Sequence, residues 1–229
     1  PKTPKPQSFQ NLIGHRCLFF KMTRPYLNYN YYSKIQMNKA TLIALIGATS
    51  ARMSFGACPD VPLVADFDAA AFAGEWYEVL RESQFMYEMG QECSTQSFTL
   101  NADGELDIYF RAKFGLMGYN GVDGYLQCDS GSADTHTCMA SMAGSEPEYP
   151  FNFIATDYDN YAVSYFCMDM IGELAKVEWY NILSKSETLS DSLLEEAKAK
   201  LTSATGIQPT FWNTHTTKQG GNCEYDWTL

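Results

Sequence analysis

Phe72-Ala73-Gly74-Glu75-Trp76-Tyr77 is the stretch around which the chain is organised. A glycine stands two residues before a tryptophan, and an apolar/polar alternation begins at Tyr77, Glu78 and Val79. Glycine lets the backbone take a tight entry that a Cβ would obstruct. The indole buries a large surface just where a strand starts. Taken alone, G-x-W describes any core tryptophan beside a turn, so its meaning depends on the residues downstream of it.

Those residues form a succession of short β runs. Cys93 to Leu100 precedes the turn Asn101-Ala102-Asp103-Gly104, and Glu105 to Lys113 then alternates through Leu106, Ile108 and Phe110. Gly115, Gly118 and Asn120-Gly121 mark the next reversal, with Tyr119 to Cys128 as a further strand. Thr137 to Ala143, Phe151 to Thr156, Tyr161 to Met168 and Lys176 to Lys185 complete the set. About eight strands at hairpin spacing predict an antiparallel sandwich or barrel, and an up-and-down barrel leaves no exposed edge. One segment has another period. Ser190 to Thr205 places Leu194, Ala197 and Leu201 at helical spacing, with Ser190 as N-cap and Gly206 as stop. This predicts one amphipathic helix lying outside the barrel, followed by a short extra strand over Gln208 to Asn213.

Upstream the composition breaks sharply. Pro1 to Ala57 holds eight Lys/Arg and no acid, whereas Cys58 to Leu229 holds eight Lys/Arg and all 27 Asp/Glu. Met37, Asn38-Lys39, the apolar run Ala40 to Ala48 and the small residues after it follow the pattern of a secretory signal peptide. The run is too short to span a bilayer, which takes about 20 residues. The expected organisation is an upstream extension at 1–36 outside the fold and the mature protein, a signal peptide at 37–57, and a folded domain at 58–229. Candidate cleavage points follow Ala51, Gly56 and Ala57.

Seven cysteines are present, and removing Cys17 with the leader leaves six, an even number suited to an oxidising compartment. Six allow fifteen pairings. No C-x-x-C pair occurs, and beyond the leader the only histidines are His136 and His215, so no metal centre or cofactor is expected. The acidic domain disfavours nucleic acid and anionic membrane surfaces as partners. The expected product is a secreted or secretory-lumen protein without an integral membrane segment, a monomer or weak dimer.

With Thr156-Asp157-Tyr158 and Lys185 added to Gly74 and Trp76, the chain resembles the lipocalin family, in particular its apolipoprotein D-like branch with bacterial and plant members. Cys58-Pro59, Phe67-Asp68 and the run Ala155 to Ala162 carry the same resemblance, which extends from Cys58 to Cys223. It implies an eight-stranded antiparallel up-and-down β-barrel with one C-terminal α-helix packed outside and a cup-shaped apolar interior. Trp76 would lie at the closed end with the basic residue across its indole. Arginine is common there; this chain has Lys185. The resemblance also implies disulfides Cys58–Cys167 and Cys93–Cys223. Cys128 and Cys138, flanking one inter-strand loop, are left for each other.

The implied function is binding and transport of a small hydrophobic ligand, such as a fatty acid, sterol, retinoid or pigment. By that resemblance Phe98 stands where the branch has a pocket tyrosine, and Asn181 where it has a pocket tryptophan. Phe110, Tyr125, Phe153, Tyr165 and Trp179 are further candidates for the wall, each subject to strand alternation. Two alternatives remain. An isomerase or de-epoxidase-like enzyme would need a reactive thiol, or carboxylates such as Glu78, Glu92 or Asp107 acting as acid or base; no catalytic residue is assigned. A protein-interaction module would use the open-end loops, with Met86, Tyr87 and Met89 as the apolar tip.

Overall fold

Asp68 sets the entry to the barrel. Its carboxylate accepts from the backbone N–H groups of Ala70 and Ala71, each at 3.0 Å, and so caps a one-turn helix, α1 (Ala69–Phe72), whose first donors would otherwise be unpaired. This is seen in a computed structural model that describes residues 53–61, 64–83, 90–128, 138–142, 149–170 and 172–227. The expected extension at 1–36, most of the expected signal peptide, His136, and Met86, Tyr87 and Met89 lie outside the described residues.

The strands are β1 (Met53–Phe55), β2 (Gly74–Glu82), β3 (Gln91–Leu100), β4 (Leu106–Phe114), β5 (Tyr119–Cys128), β6 (Cys138–Met142), β7 (Tyr149–Pro150), β8 (Asn152–Thr156), β9 (Tyr161–Met170), β10 (Ala175–Ser184) and β11 (Thr214–Thr216). The second helix, α2, spans Asp191–Thr205. All pairings are antiparallel, in the order β7-β6-β5-β4-β3-β2-β10-β9-β8. β7, Phe151 and β8 make one bent stave: β7 pairs β6, the Phe151 N–H donates to the Cys138 carbonyl at 2.8 Å, and β8 pairs β9. That bend brings the two ends of the sheet together in an eight-stranded, nearly closed barrel with one C-terminal helix outside.

Alternation sorts the apolar residues into two clusters. Inside the barrel lie Trp76, Phe98, Ile108, Leu126, Phe153 and Leu183. Outside, Tyr161, Val163, Tyr180 and Ile182 pack under Ala197, Leu201 and Ile207 of α2 and the segment after it. Ser190 caps α2 through its hydroxyl, and Gly206 ends it in the left-handed region at φ 76°. Disulfides join Cys58–Cys167, Cys93–Cys223 and Cys128–Cys138. The first two tie the terminal arms to the barrel walls.

Two elements depart from the sequence-based expectation. The extra strand expected at Gln208 to Asn213 is a turn, and the strand itself is β11. The Asn213 side chain accepts from the Thr210 N–H at 2.6 Å and donates to the Gln208 carbonyl at 2.9 Å, which closes the turn locally and competes with extended structure. β1 falls inside the stretch expected as leader, where it pairs with β10 through Met53↔Val177, Ser54↔Lys176 and Phe55↔Ala175. It occupies the edge that β2 vacates, since β2 meets β10 only from Asn181 onward.

Candidate functional site

The site is the interior of the barrel, and its floor is built from the opening stretch. Gly74 has φ +117°, a conformation that favours glycine, and a Cβ there would press on Lys185 Nζ at 3.2 Å. Trp76 is fully buried; its indole N–H donates to the Phe72 carbonyl at 3.0 Å. Lys185 Nζ lies 3.9 Å from the indole ring centroid and donates to the Ala73 carbonyl at 3.2 Å. Burial lowers the Lys185 pKa, while Asp159 and Glu75 nearby pull it back up and favour the charged form.

The Thr156-Asp157-Tyr158 turn braces the floor. The Thr156 hydroxyl donates to the Tyr161 carbonyl at 2.8 Å and accepts from the Tyr158 N–H at 2.9 Å. Burial pushes the Asp157 carboxyl up, but donation from the Tyr161 N–H and from the Asn160 side chain and backbone outweighs it and holds the group below its ordinary value. The Tyr158 hydroxyl accepts from the Asp68 N–H at 3.1 Å, which links this turn to the cap of α1.

Beside the floor an aromatic ladder runs along one side of the barrel interior. Phe72 stacks on Trp76 at 4.8 Å and meets Phe98 at 5.0 Å and Phe153 at 4.2 Å. Phe151 continues it, 5.4 Å from Phe153, 6.0 Å from Trp179 and 6.3 Å from Phe110. Of the candidates from sequence, Phe98, Phe110, Phe153, Trp179 and Asn181 are therefore brought together on the inward face.

Tyr165 and Tyr125 are not. Tyr165 lies between inward Ser164 and Phe166, so its ring belongs to the outer cluster, and its hydroxyl donates to Glu178 at 2.8 Å. Tyr125 lies beside inward Leu126, opposite Asp107 and Ser141 on the outer face. In both cases the alternation of the strand decides, because neighbouring residues point to opposite faces.

The interior also holds polar groups that the sequence did not single out as wall residues. β2 and β10 slip register between Ile182 and Leu183, so Glu78 stands opposite Leu183 and Arg81 opposite Asn181. That bulge turns both Glu78 and Arg81 inward, although a regular strand would set residues three apart on opposite faces. Arg81 Nη1 meets Glu78 Oε1 at 2.8 Å, with both side chains buried. Glu78, offered from sequence as a possible acid or base, thus sits in a buried ion pair. Glu92 instead sits by the C-terminal segment, 3.2 Å from His215 Nε2, and Asp107 accepts from Asn101 Nδ2 at 3.0 Å. The three carboxylates do not converge, and Cys58, Cys93, Cys128, Cys138, Cys167 and Cys223 are all in disulfides. Among the described residues there is no cluster able to hold a metal ion and no helix long and apolar enough to cross a membrane.

Comparison with known proteins agrees with this architecture. The model of the lipocalin / cytosolic fatty-acid binding protein family matches residues 73–209. Apolipoprotein D of Cavia porcellus is 30% identical over 156 residues, covering 65% of this chain and 77% of that protein. The bilin-binding protein of Pieris brassicae is 25% identical over 155 residues, covering 67% of this chain and 81% of its own. Among solved structures, insecticyanin from the tobacco hornworm Manduca sexta superposes with a TM-score of 0.62 at 21% identity, covering 76% of this chain and 93% of its own.

Proposed function

The chain belongs to the lipocalin / cytosolic fatty-acid binding protein family, and from that premise we propose that it is a secreted carrier holding one small hydrophobic molecule in its cup. The observation that carries this is the inward aromatic ladder from Trp76 through Phe98 and Phe153 to Phe151, Trp179 and Phe110. Inward apolar wall gains about 25 cal/mol for each Å² it removes from water with a ligand. A barrel of eight strands encloses room for one such molecule. A fatty acid, sterol, retinoid or pigment is the class of cargo, and one of its relatives is a bilin-binding protein by name.

Secretion is part of the same proposal. It rests on the leader pattern and on three disulfides, which persist in oxidising compartments. Of the three candidate cleavage points, the one after Ala51 keeps β1, whose Ser54 hydroxyl donates to Glu178 at 2.6 Å.

Titration with Nile red tests the carriage. The protein is expected to enhance the dye's fluorescence at one site per chain, and an apolar competitor to displace it. Ala140 is an inward residue, 3% exposed. Ala140→Phe fills the cup and should weaken binding by roughly tenfold or more, with the thermal transition checked in parallel. A folded Ala140→Phe variant that binds the dye as wild type does places the site elsewhere and overturns the reading.

A further inference from the structure

We propose that the cup recognises a neutral hydrogen-bonding head group, an alcohol or amide, and discriminates against the matching carboxylate. This rests on the carrier reading and narrows its ligand class.

The interior has two unlike walls. One is the aromatic ladder. The other is a polar seam across β9, β10, β2 and β3. Ser164, Asn181 and Arg81 are direct neighbours in register on three adjacent strands, and all three are buried. Glu78 stands next to Arg81, and Gln96 stands opposite Trp76 one strand further on. The Ser164 hydroxyl donates to Asn181 Oδ1. Asn181 Nδ2 and Gln96 Oε1 are buried with no hydrogen-bond partner. If the Asn181 amide were turned round, it would still leave one of its atoms unpaired. Buried amide atoms are nearly always satisfied, so two orphans on one inward face point to a ligand that supplies what they lack. Asn181 Nδ2 offers a donor beside Arg81 and Gln96 Oε1 an acceptor beside Trp76, and a neutral hydroxyl or amide suits either place, because it can both accept and donate.

Charge excludes the carboxylate. Arg81 Nη1 is held by Glu78 at 2.8 Å and Thr217 Oγ1 at 2.9 Å, and Nη2 by the Gln91 carbonyl at 2.9 Å. Glu78 also accepts from the Thr217 hydroxyl at 2.6 Å. The pair is balanced and bonded, so an incoming carboxylate would add an uncompensated buried charge, which costs far more than a neutral polar group. The selectivity belongs to this chain, because Asn181 stands where the resemblance has a tryptophan.

Competition against Nile red with decanol, decanoate and decane tests this in wild type and three variants. Wild type is expected to bind decanol more tightly than decanoate. Whichever of Asn181→Leu and Gln96→Leu removes the head group's partner should weaken decanol about 5–10-fold, the loss of about one hydrogen bond, and neither should weaken decane. Glu78→Gln, nearly isosteric, removes one buried negative charge beside Arg81 and should strengthen decanoate relative to decanol. Equal or tighter decanoate binding by wild type, or variants that shift all three ligands alike, overturns the seam while leaving carriage intact. If wild type binds neither the dye nor any of the three ligands, carriage fails and the seam with it.

Discussion

At Lys185 two effects of opposite sign meet. Burial disfavours its charge, while the indole face 3.9 Å away, the Ala73 carbonyl, Asp159 and Glu75 favour it. A cation over an indole is worth about 0.5–2 kcal/mol depending on desolvation, so Lys185→Met, which keeps the apolar stem, should cost about 1 kcal/mol in urea unfolding. No loss of stability would show that the contact is incidental. Asp157 makes the opposite kind of statement. Its folded pKa is lowered, so its contribution is fully present above the ordinary carboxylate range and disappears as pH falls through the folded value. The stability gap between wild type and Asp157→Asn should therefore be widest near neutrality and close below about pH 4; a gap that grows on acidification would contradict this. Both residues were legible through the family resemblance, which singles out Lys185 and Thr156-Asp157-Tyr158 together with Gly74 and Trp76. The orphaned Asn181 amide was not: position 181 drew attention through the family, but only the pairing of β9, β10 and β2 shows what surrounds it.

At the scale of elements, α2 was readable end to end from its Ser190 cap, its 197/201 apolar spacing and its Gly206 stop. Leu201 is fully buried against the outer face of β8 and β9. Leu201→Ala should cost about 2–5 kcal/mol, as buried leucine truncations do, and should leave cup ligands bound at unchanged stoichiometry; thermal denaturation with a dye titration checks both. The strands were legible, but their facing only in part. Tyr125 and Tyr165 face outward, against expectation, because a strand's phase is fixed by its partners, which the sequence does not display. The bulge at Val79 is the sharper case. It puts Glu78 and Arg81 on one face, and no period-two count along β2 predicts that. At 208–213 the side chain of one asparagine outcompetes extended structure.

For the whole molecule, an acidic exterior encloses an interior in which the charges of Glu78 and Arg81 face each other among apolar residues. The full chain carries a formal −11, yet the inward face holds aromatic rings, a balanced Glu78–Arg81 pair and neutral amides. Such a body can stay soluble and still offer an apolar solvent to one guest. The barrel was readable in the sequence because Gly74-x-Trp76, Thr156-Asp157-Tyr158 and Lys185 lie far apart in the chain and meet at one floor. Native mass spectrometry of the protein recovered from a secreting host tests the account most directly. It predicts a population heavier than the bare chain by one small molecule, which is released on unfolding and proves to be a neutral amphiphile. A chain recovered only in its bare mass, and still bare after neutral amphiphiles are supplied, would contradict it.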